Sequence, residues 1–186
     1  MRGATLVKAA AQAVRIVRLG RRHLGAVVDG FNSGEAAGTT FWILPRSQEG
    51  WNAHFDTDAR LRPKPRRFAI LRGRKVVGTC GLFGPWFSGA MLGIAIFDPD
   101  ARGQGIGTYA VRALCDYGFE KLRLRRIELG VYPDNASAIR VYEKCGFKRE
   151  ALSRSDIYHD GGWRDTLWMS LLRSEWNAAR RRGGRR

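Results

Sequence analysis

Residues 13–19, Ala-Val-Arg-Ile-Val-Arg-Leu, set Val and Ile in partial alternation with arginine, the pattern of a half-buried strand that Gly20 ends. Residues 21–29 fit a short helix, and 30–40 read as loop because Gly, Asn and Ser crowd there. Residues 42–60 hold a helix with Trp51 and Phe55 four apart, stopped by Pro63 and Pro65. Strands follow at 68–71 and 76–83, and the link Arg72-Gly73-Arg74-Lys75 has hairpin length. Residues 91–97 are nearly all apolar, as in a central buried strand, until Asp98-Pro99-Asp100 breaks the run. Ala110, Val111, Leu114 and Tyr117 recur at helical spacing within 107–122. Residues 127–131 form another strand. A second amphipathic helix covers 134–145, with Ala138, Val141 and Tyr142 on one side and Gly146 as its stop. Strands at 147–153 and 165–172 close the pattern. This order predicts an α/β domain whose central sheet begins antiparallel, with no internal repeat.

Composition narrows the class. The chain has 186 residues, the size of one domain, and that suffices to bury a core without staples. With 44% hydrophobic and 27% charged residues, the composition is globular and excludes a disordered chain. No run approaches the roughly 18 apolar residues of a membrane span, so no membrane partner is expected. Residues 1–14 are broken by Lys8 and Gln12 and lack the apolar core of a signal peptide. Cys80, Cys115 and Cys145 are odd in number and far apart, which points away from a disulfide framework and a zinc cluster. A reducing, cytoplasmic location is expected. His23, His54 and His159 show no ligand spacing and read as surface or loop residues, so no metal is expected.

Charge raises a different possibility. Lys and Arg number 33 against 17 Asp and Glu, for a net +16. Three basic stretches stand out: 60–75, 121–126 and the Arg-rich end from 180. They suit a phosphate-bearing partner, either nucleic acid or a nucleotide cofactor. Aromatic side chains do not interleave with these runs as a base-stacking surface requires. A nucleic-acid- or ribosome-binding module therefore ranks second.

The most informative segment is Asp98-Pro99-Asp100-Ala101-Arg102-Gly103-Gln104-Gly105-Ile106-Gly107-Thr108. Three alternating glycines stand between a buried strand and a helix. Glycine permits positive φ and close backbone approach, and the first amides of a helix present unpaired donors with the positive end of the macrodipole behind them. Such a turn suits a pyrophosphate. The Gly-x-Gly-x-Gly spacing differs from the dinucleotide fingerprint, and no Lys-Ser/Thr follows, which excludes a nucleoside-triphosphatase loop.

Arg102-x-x-Gly105-x-Gly107 resembles the acyl-CoA pyrophosphate motif of the GNAT superfamily of N-acetyltransferases. The stretch Asn135-Ala136-Ser137-Ala138-Ile139-Arg140-Val141-Tyr142-Glu143-Lys144-Cys145-Gly146-Phe147 is similar to that superfamily's second signature, at the expected separation. Asp160-Gly161-Gly162-Trp163-Arg164-Asp165 and the ending around it resemble the branch with ribosomal-protein N-terminal, polyamine and antibiotic acetyltransferases. The resemblance implies a mixed, mostly antiparallel sheet of about seven strands flanked by helices, over residues 13–173. A 12-residue extension would precede it, and a disordered basic tail, 174–186, would follow. Acetyl-CoA is the implied cofactor. Strands 91–97 and 127–131 would splay so that backbone groups of Ile96 and Phe97 pair with the pantetheine arm. Arg102 and the amides of Gly103, Gln104, Gly105, Ile106, Gly107 and Thr108 would hold the pyrophosphate.

Asn135 would bond the pantetheine side, although capping its helix explains an Asn there equally well. Tyr142 would touch the acyl sulfur and protonate the departing thiolate, for which a phenol is suited. The position of a family Glu base is Gly130 here, so Glu128, two residues earlier on the same strand face, is the candidate base. The implied reaction is direct attack of a primary amine on the thioester, the amine belonging to a protein N-terminus or a small molecule. Antibiotics and polyamines are alternatives. Nothing in the sequence chooses between monomer and homodimer.

Overall fold

The computed structural model describes residues 14–33, 47–53, 66–86, 89–159 and 161–183. The chain begins with β1 (Val14–Arg18), a 3-10 turn (Arg21–His23) and α1 (Leu24–Asn32). Residues 48–53 are helical, α2. Next come β2 (Arg66–Arg72), β3 (Lys75–Trp86) and β4 (Gly89–Ile96), then a 3-10 turn (Pro99–Ala101), α3 (Ile106–Asp116) and a π-turn (Tyr117–Lys121). β5 (Arg126–Val131), α4 (Ala136–Lys144), β6 (Lys148–His159), β7 (Gly162–Leu172) and α5 (Arg173–Gly183) complete the order. The strands form one seven-stranded sheet, β1-β2-β3-β4-β5-β7-β6. Every neighbouring pair is antiparallel except β4 and β5. This is the mixed, mostly antiparallel sheet that the sequence implies.

Each face of the sheet has its own core. On one face Ile127, Leu129 and Val131 of β5 pack with Ile106, Ala110, Val111 and Leu114 of α3 and with Ile139 and Tyr142 of α4. On the other, Leu24, Val27 and Phe31 of α1 join Trp51, Ala69, Leu71 and Phe97. β5 shows the cause directly: its apolar residues alternate with half-buried Arg126, Glu128 and Gly130. β6 lies at the sheet edge and is exposed along most of its length, where Lys148, Arg149, Glu150 and Arg154 discourage pairing with another edge.

Several boundaries differ from expectation. α1 continues through Gly30 to Asn32, because Gly30 packs against the Phe97 ring and Phe31 is buried beside it. The 107–122 helix ends as α-helix at Asp116 and finishes as a π-turn. β6 runs to His159 rather than 153, over register shifts between Ser153 and Ile157, with Ser155 at φ 49°. The tail expected to be disordered from 174 is helical through Gly183. Its anchor is Trp176, 7% exposed, whose ring lies 6.2 Å from Phe119, and Arg180 pairs with Asp116 at 2.8 Å and with Glu120. Of the expected 42–60 helix, 48–53 is seen, with Trp51 stacked on Phe31 at 5.7 Å. The remainder, and the extension 1–12, lie outside the described residues. No helix among the described residues is long and apolar enough to cross a membrane.

Candidate functional site

The site begins at a fork in the sheet. β4 and β5 pair only at Gly89–Arg126, Ala90–Ile127 and Met91–Glu128. Beyond these, β4 stays with β3 while β5 stays with β7 up to Val131. The Phe97 N–H donates to the Val77 carbonyl at 3.2 Å, toward β3. Backbone groups of alternate residues address opposite neighbours in an antiparallel ladder, so Ala95 and Phe97 face β3 while Leu92, Ile94 and Ile96 face the opening. The opening is therefore an unpaired strand edge that an amide-bearing ligand can extend. Ile96 lies on this edge, and its carbonyl already accepts from Arg102 Nε at 3.0 Å. Phe97 does not: its N–H is committed to β3, and its ring, 4% exposed, is core on the α1 face.

The turn from β4 to α3 is built from inside. Asp98 is buried, and its carboxylate accepts from the Asp100 amide at 3.1 Å and meets Lys75 Nζ at 2.9 Å. Burial alone raises the Asp98 pKa, but the Lys75 hydrogen bond and charge, the Asp100 amide and Arg72 outweigh it and hold the carboxyl below its usual range. Gly103 and Gly105 stand at φ 72° and 77°, and added Cβ atoms there would touch nothing within 4 Å. Backbone conformation, not space, demands glycine at both. Gly107 is an ordinary helical residue that packs near Val141.

The first intrahelical bond of α3 runs from the Tyr109 N–H to the Gly105 carbonyl at 3.0 Å. The amides of Gly103, Gln104, Gly105, Ile106, Gly107 and Thr108 thus find no acceptor among the described residues. Six successive donors at a helix N-terminus form an anion cradle, and a pyrophosphate fits this donor set. The Gln104 side chain faces the loop instead, donating to the Asp100 carbonyl at 2.6 Å. Arg72 donates to that same carbonyl at 2.9 Å and braces the turn. The sequence places Arg72 in a hairpin link and a basic stretch; its i to i+28 contact has no local signal.

Asn135 caps α4: its Oδ1 accepts from the Ala138 amide at 3.1 Å and from the Ser137 hydroxyl at 3.0 Å. Tyr142, 7% exposed, lies 6.0 Å from the Phe147 ring, and its phenol makes no hydrogen bond among the described residues. Burial, with Cys145 nearby, pushes its pKa well above the usual value, so it stays protonated. Glu128 occupies the last paired position, at the point of the fork. Its carboxylate is engaged by Arg126 at 3.0 Å, which also holds Glu150 at 2.8 Å. Alternation puts Glu128 on the sheet face opposite Leu129 and Val131, with which Tyr142 packs. The two candidate proton-transfer groups therefore approach the fork from opposite faces.

His23 corrects another expectation. It is 6% exposed, with Nδ1 accepting from the Gly20 amide at 3.0 Å. Cys80, Cys115 and Cys145 are free and buried. No metal-ligand cluster occurs among the described residues.

The same fold occurs in a crystal structure of spermidine N-acetyltransferase from Vibrio cholerae in complex with CoA and spermine. It aligns at TM-score 0.79 and 23% identity, over 88% of this chain and 98% of that one. A ribosomal-protein-S5-alanine acetyltransferase structure from Vibrio fischeri aligns at TM-score 0.75 and 20% identity, over 88% and 94%. In sequence, the chain is 35% identical over 116 residues to the probable N-acetyltransferase YjcK of Bacillus subtilis, covering 62% of this chain and 57% of that protein. The first curated relatives are thus matched over about half to two thirds of their length. Residues 35–147 match the profile of the Acetyltransferase (GNAT) family, and the chain belongs to that family.

Proposed function

We infer that the protein is an acetyl-CoA-dependent N-acetyltransferase acting on a primary amine, within a catalytic domain that extends past residue 173 to include α5, whose Trp176 joins its core. The observation that carries this reading is the conjunction of an unpaired strand edge with six orphan amides one turn away. Acetyl-CoA supplies an acyl thioester open to attack by a neutral amine. The edge at Ile94 and Ile96 receives the pantetheine amides, and the amides of 103–108 with Arg102 receive the pyrophosphate. Tyr142 keeps its proton until the carbon–sulfur bond breaks and then passes it to the leaving sulfur. Glu128, directly or through water, takes the proton that the attacking nitrogen sheds, once its carboxylate exchanges Arg126 for the amine. Asn135 sets the pitch of α4, which carries Tyr142.

Relatives and neighbours include enzymes named for spermidine and for ribosomal-protein-S5 alanine. The net +16 disfavours a polycationic acceptor and favours protein N-termini or neutral and acidic amines. A cytoplasmic setting accords with three free, buried thiols. The test is a screen of amine classes with acetyl-CoA, followed by thiol release. Turnover with at least one class is expected, and Tyr142→Phe should lower kcat by about 100-fold or more while CoA affinity by calorimetry changes little. No thiol release with any class, or lost affinity at unchanged kcat, overturns the reading.

A further inference from the structure

A cleft of about 790 Å³ opens on the α1 face of the sheet, between α1 and the β2–β3 hairpin. Arg15, Arg22, Arg74 and Lys75 line it against Asp29 and Asp98, so it is net positive. Lys75 is committed to Asp98, and Arg15 donates to the Gly73 carbonyl at 3.0 Å. Arg74 makes no ion pair or hydrogen bond among the described residues.

His23 lies in the same cleft and has donors at both ring nitrogens. The Gly20 N–H points at Nδ1 from 3.0 Å, and the Arg22 Nε–H points at Nε2 from 3.2 Å. A neutral imidazole has only one bare nitrogen. The Gly20 amide is fixed by the backbone and takes it, so the ring proton sits on Nε2. Two donors, His23 Nε2–H and Arg22 Nε–H, then face each other with no acceptor between them. Protonating the ring would add a donor rather than remove one. Burial, then the Arg22 charge, lower the His23 pKa and keep it neutral.

We propose that this cleft binds an oxyanion group, phosphate or carboxylate, whose oxygen accepts from both Arg22 Nε–H and His23 Nε2–H while Arg74 supplies charge. The site is separate from the amide cradle of α3 and does not depend on the acetyl-transfer reading. An oxygen in this position converts a donor–donor contact into two hydrogen bonds, one of them assisted by the guanidinium charge. The anion has two chemical sources: a free phosphate-bearing small molecule, or an acidic group on the amine acceptor itself.

The experiment follows the imidazole resonances of the full chain while inorganic phosphate is titrated at constant ionic strength set by chloride. His23→Gln assigns the His23 signals. A saturable shift at His23 in the millimolar range, persisting with saturating CoA, is expected. Arg22→Gln and Arg74→Gln should each weaken it by about five-fold or more, whereas Arg154→Gln, on exposed β6, should leave it unchanged. Displacement of phosphate by glycyl-glutamate but not glycinamide would identify the acceptor's acid as the source. No displacement would identify a free phosphate ligand. The proposal is overturned if no saturable shift occurs up to about 50 mM phosphate, a concentration that already covers weak sites. It is equally overturned if Arg22→Gln and Arg74→Gln bind as tightly as the parent.

Discussion

Single residues at the β4–α3 turn have effects that follow from their conformations and charges. Gly105 caps α3 at φ 77° with open space around it. Gly105→Ala therefore causes no clash but forces an L-residue into the left-handed region, at about 1–2 kcal/mol. Urea unfolding should show that loss, and CoA affinity should fall with it if the amide directions shift. Asp98 makes a pH prediction. Its folded pKa is depressed, so its contribution is present above the unfolded value near about 3.9 and is lost as pH falls through the folded value. Lys75→Met removes the partner and leaves a buried carboxylate, so the variant should be less stable at pH 7. That difference should shrink only as pH falls below the usual carboxyl range and through the depressed folded pKa of Asp98, where the carboxyl becomes protonated in the parent as well. A difference that is constant with pH would assign Lys75 a packing role instead. The glycine turn was legible in the sequence because positive φ and helix-start amides are local properties. The direction of the Phe97 amide was not, since it depends on a β3 partner twenty residues away. His23 escaped for the same reason: its burial is set by a turn that closes back on Gly20.

At the scale of elements, packing decides what periodicity could only suggest. An added Cβ at Gly30 would stand 2.2 Å from the Phe97 ring, and that ring has no room to retreat because Phe31 lies 5.6 Å away. Gly30→Ala should force α1 off β4 and cost about 1–3 kcal/mol, the range for overpacking. Thermal unfolding and crystallography of the variant would check both the loss and the shift. The same contact explains why a Gly-Phe-Asn stretch that reads as loop continues a helix. The terminal helix is the converse case. Arginine repeats suggested a solvated tail, yet one aromatic, Trp176, buries itself against Phe119 and draws α5 onto the molecule. Trp176→Ala should cost about 3–5 kcal/mol, as for other buried tryptophans. Arg180→Gln should cost far less, because its pairs with Asp116 and Glu120 are half exposed and screened. The amphipathic helices were readable because one strong period fills each, and β4 because its apolar run is nearly unbroken. The extended β6–β7 hairpin was not, because its exposed half carries no apolar alternation and its register shifts at Ser153 to Ile157.

For the whole molecule, the net +16 poses the question of what the charge is for. Ion pairs match some cations to acids, Arg126 to Glu128 and Glu150, Arg149 to Glu143, Arg164 to Asp134 and Lys148 to Glu175, but pairing leaves the net excess unchanged. The exposed aromatics Tyr158 and Trp163 meet edge to face at the β6–β7 hairpin, away from the basic β2–β3 link, so they offer no stacking track along a basic groove. Association with RNA should then be electrostatic alone. Such binding falls steeply with salt, since released counterions drive it. In the proposed binding mode CoA would be held differently, by fixed backbone amides at short range, where screening by salt has little reach. Fluorescence anisotropy with a single-stranded RNA should therefore lose affinity by about 100-fold or more between 50 and 200 mM salt. At the upper salt, CoA at about 100 times its Kd should still stabilise the fold by about 2.7 kcal/mol, a rise of roughly 5–10 °C in Tm for a chain of this size. RNA affinity that survives high salt, with no thermal response to CoA, would reverse the order of the two readings and make nucleic-acid binding the principal activity of this surface.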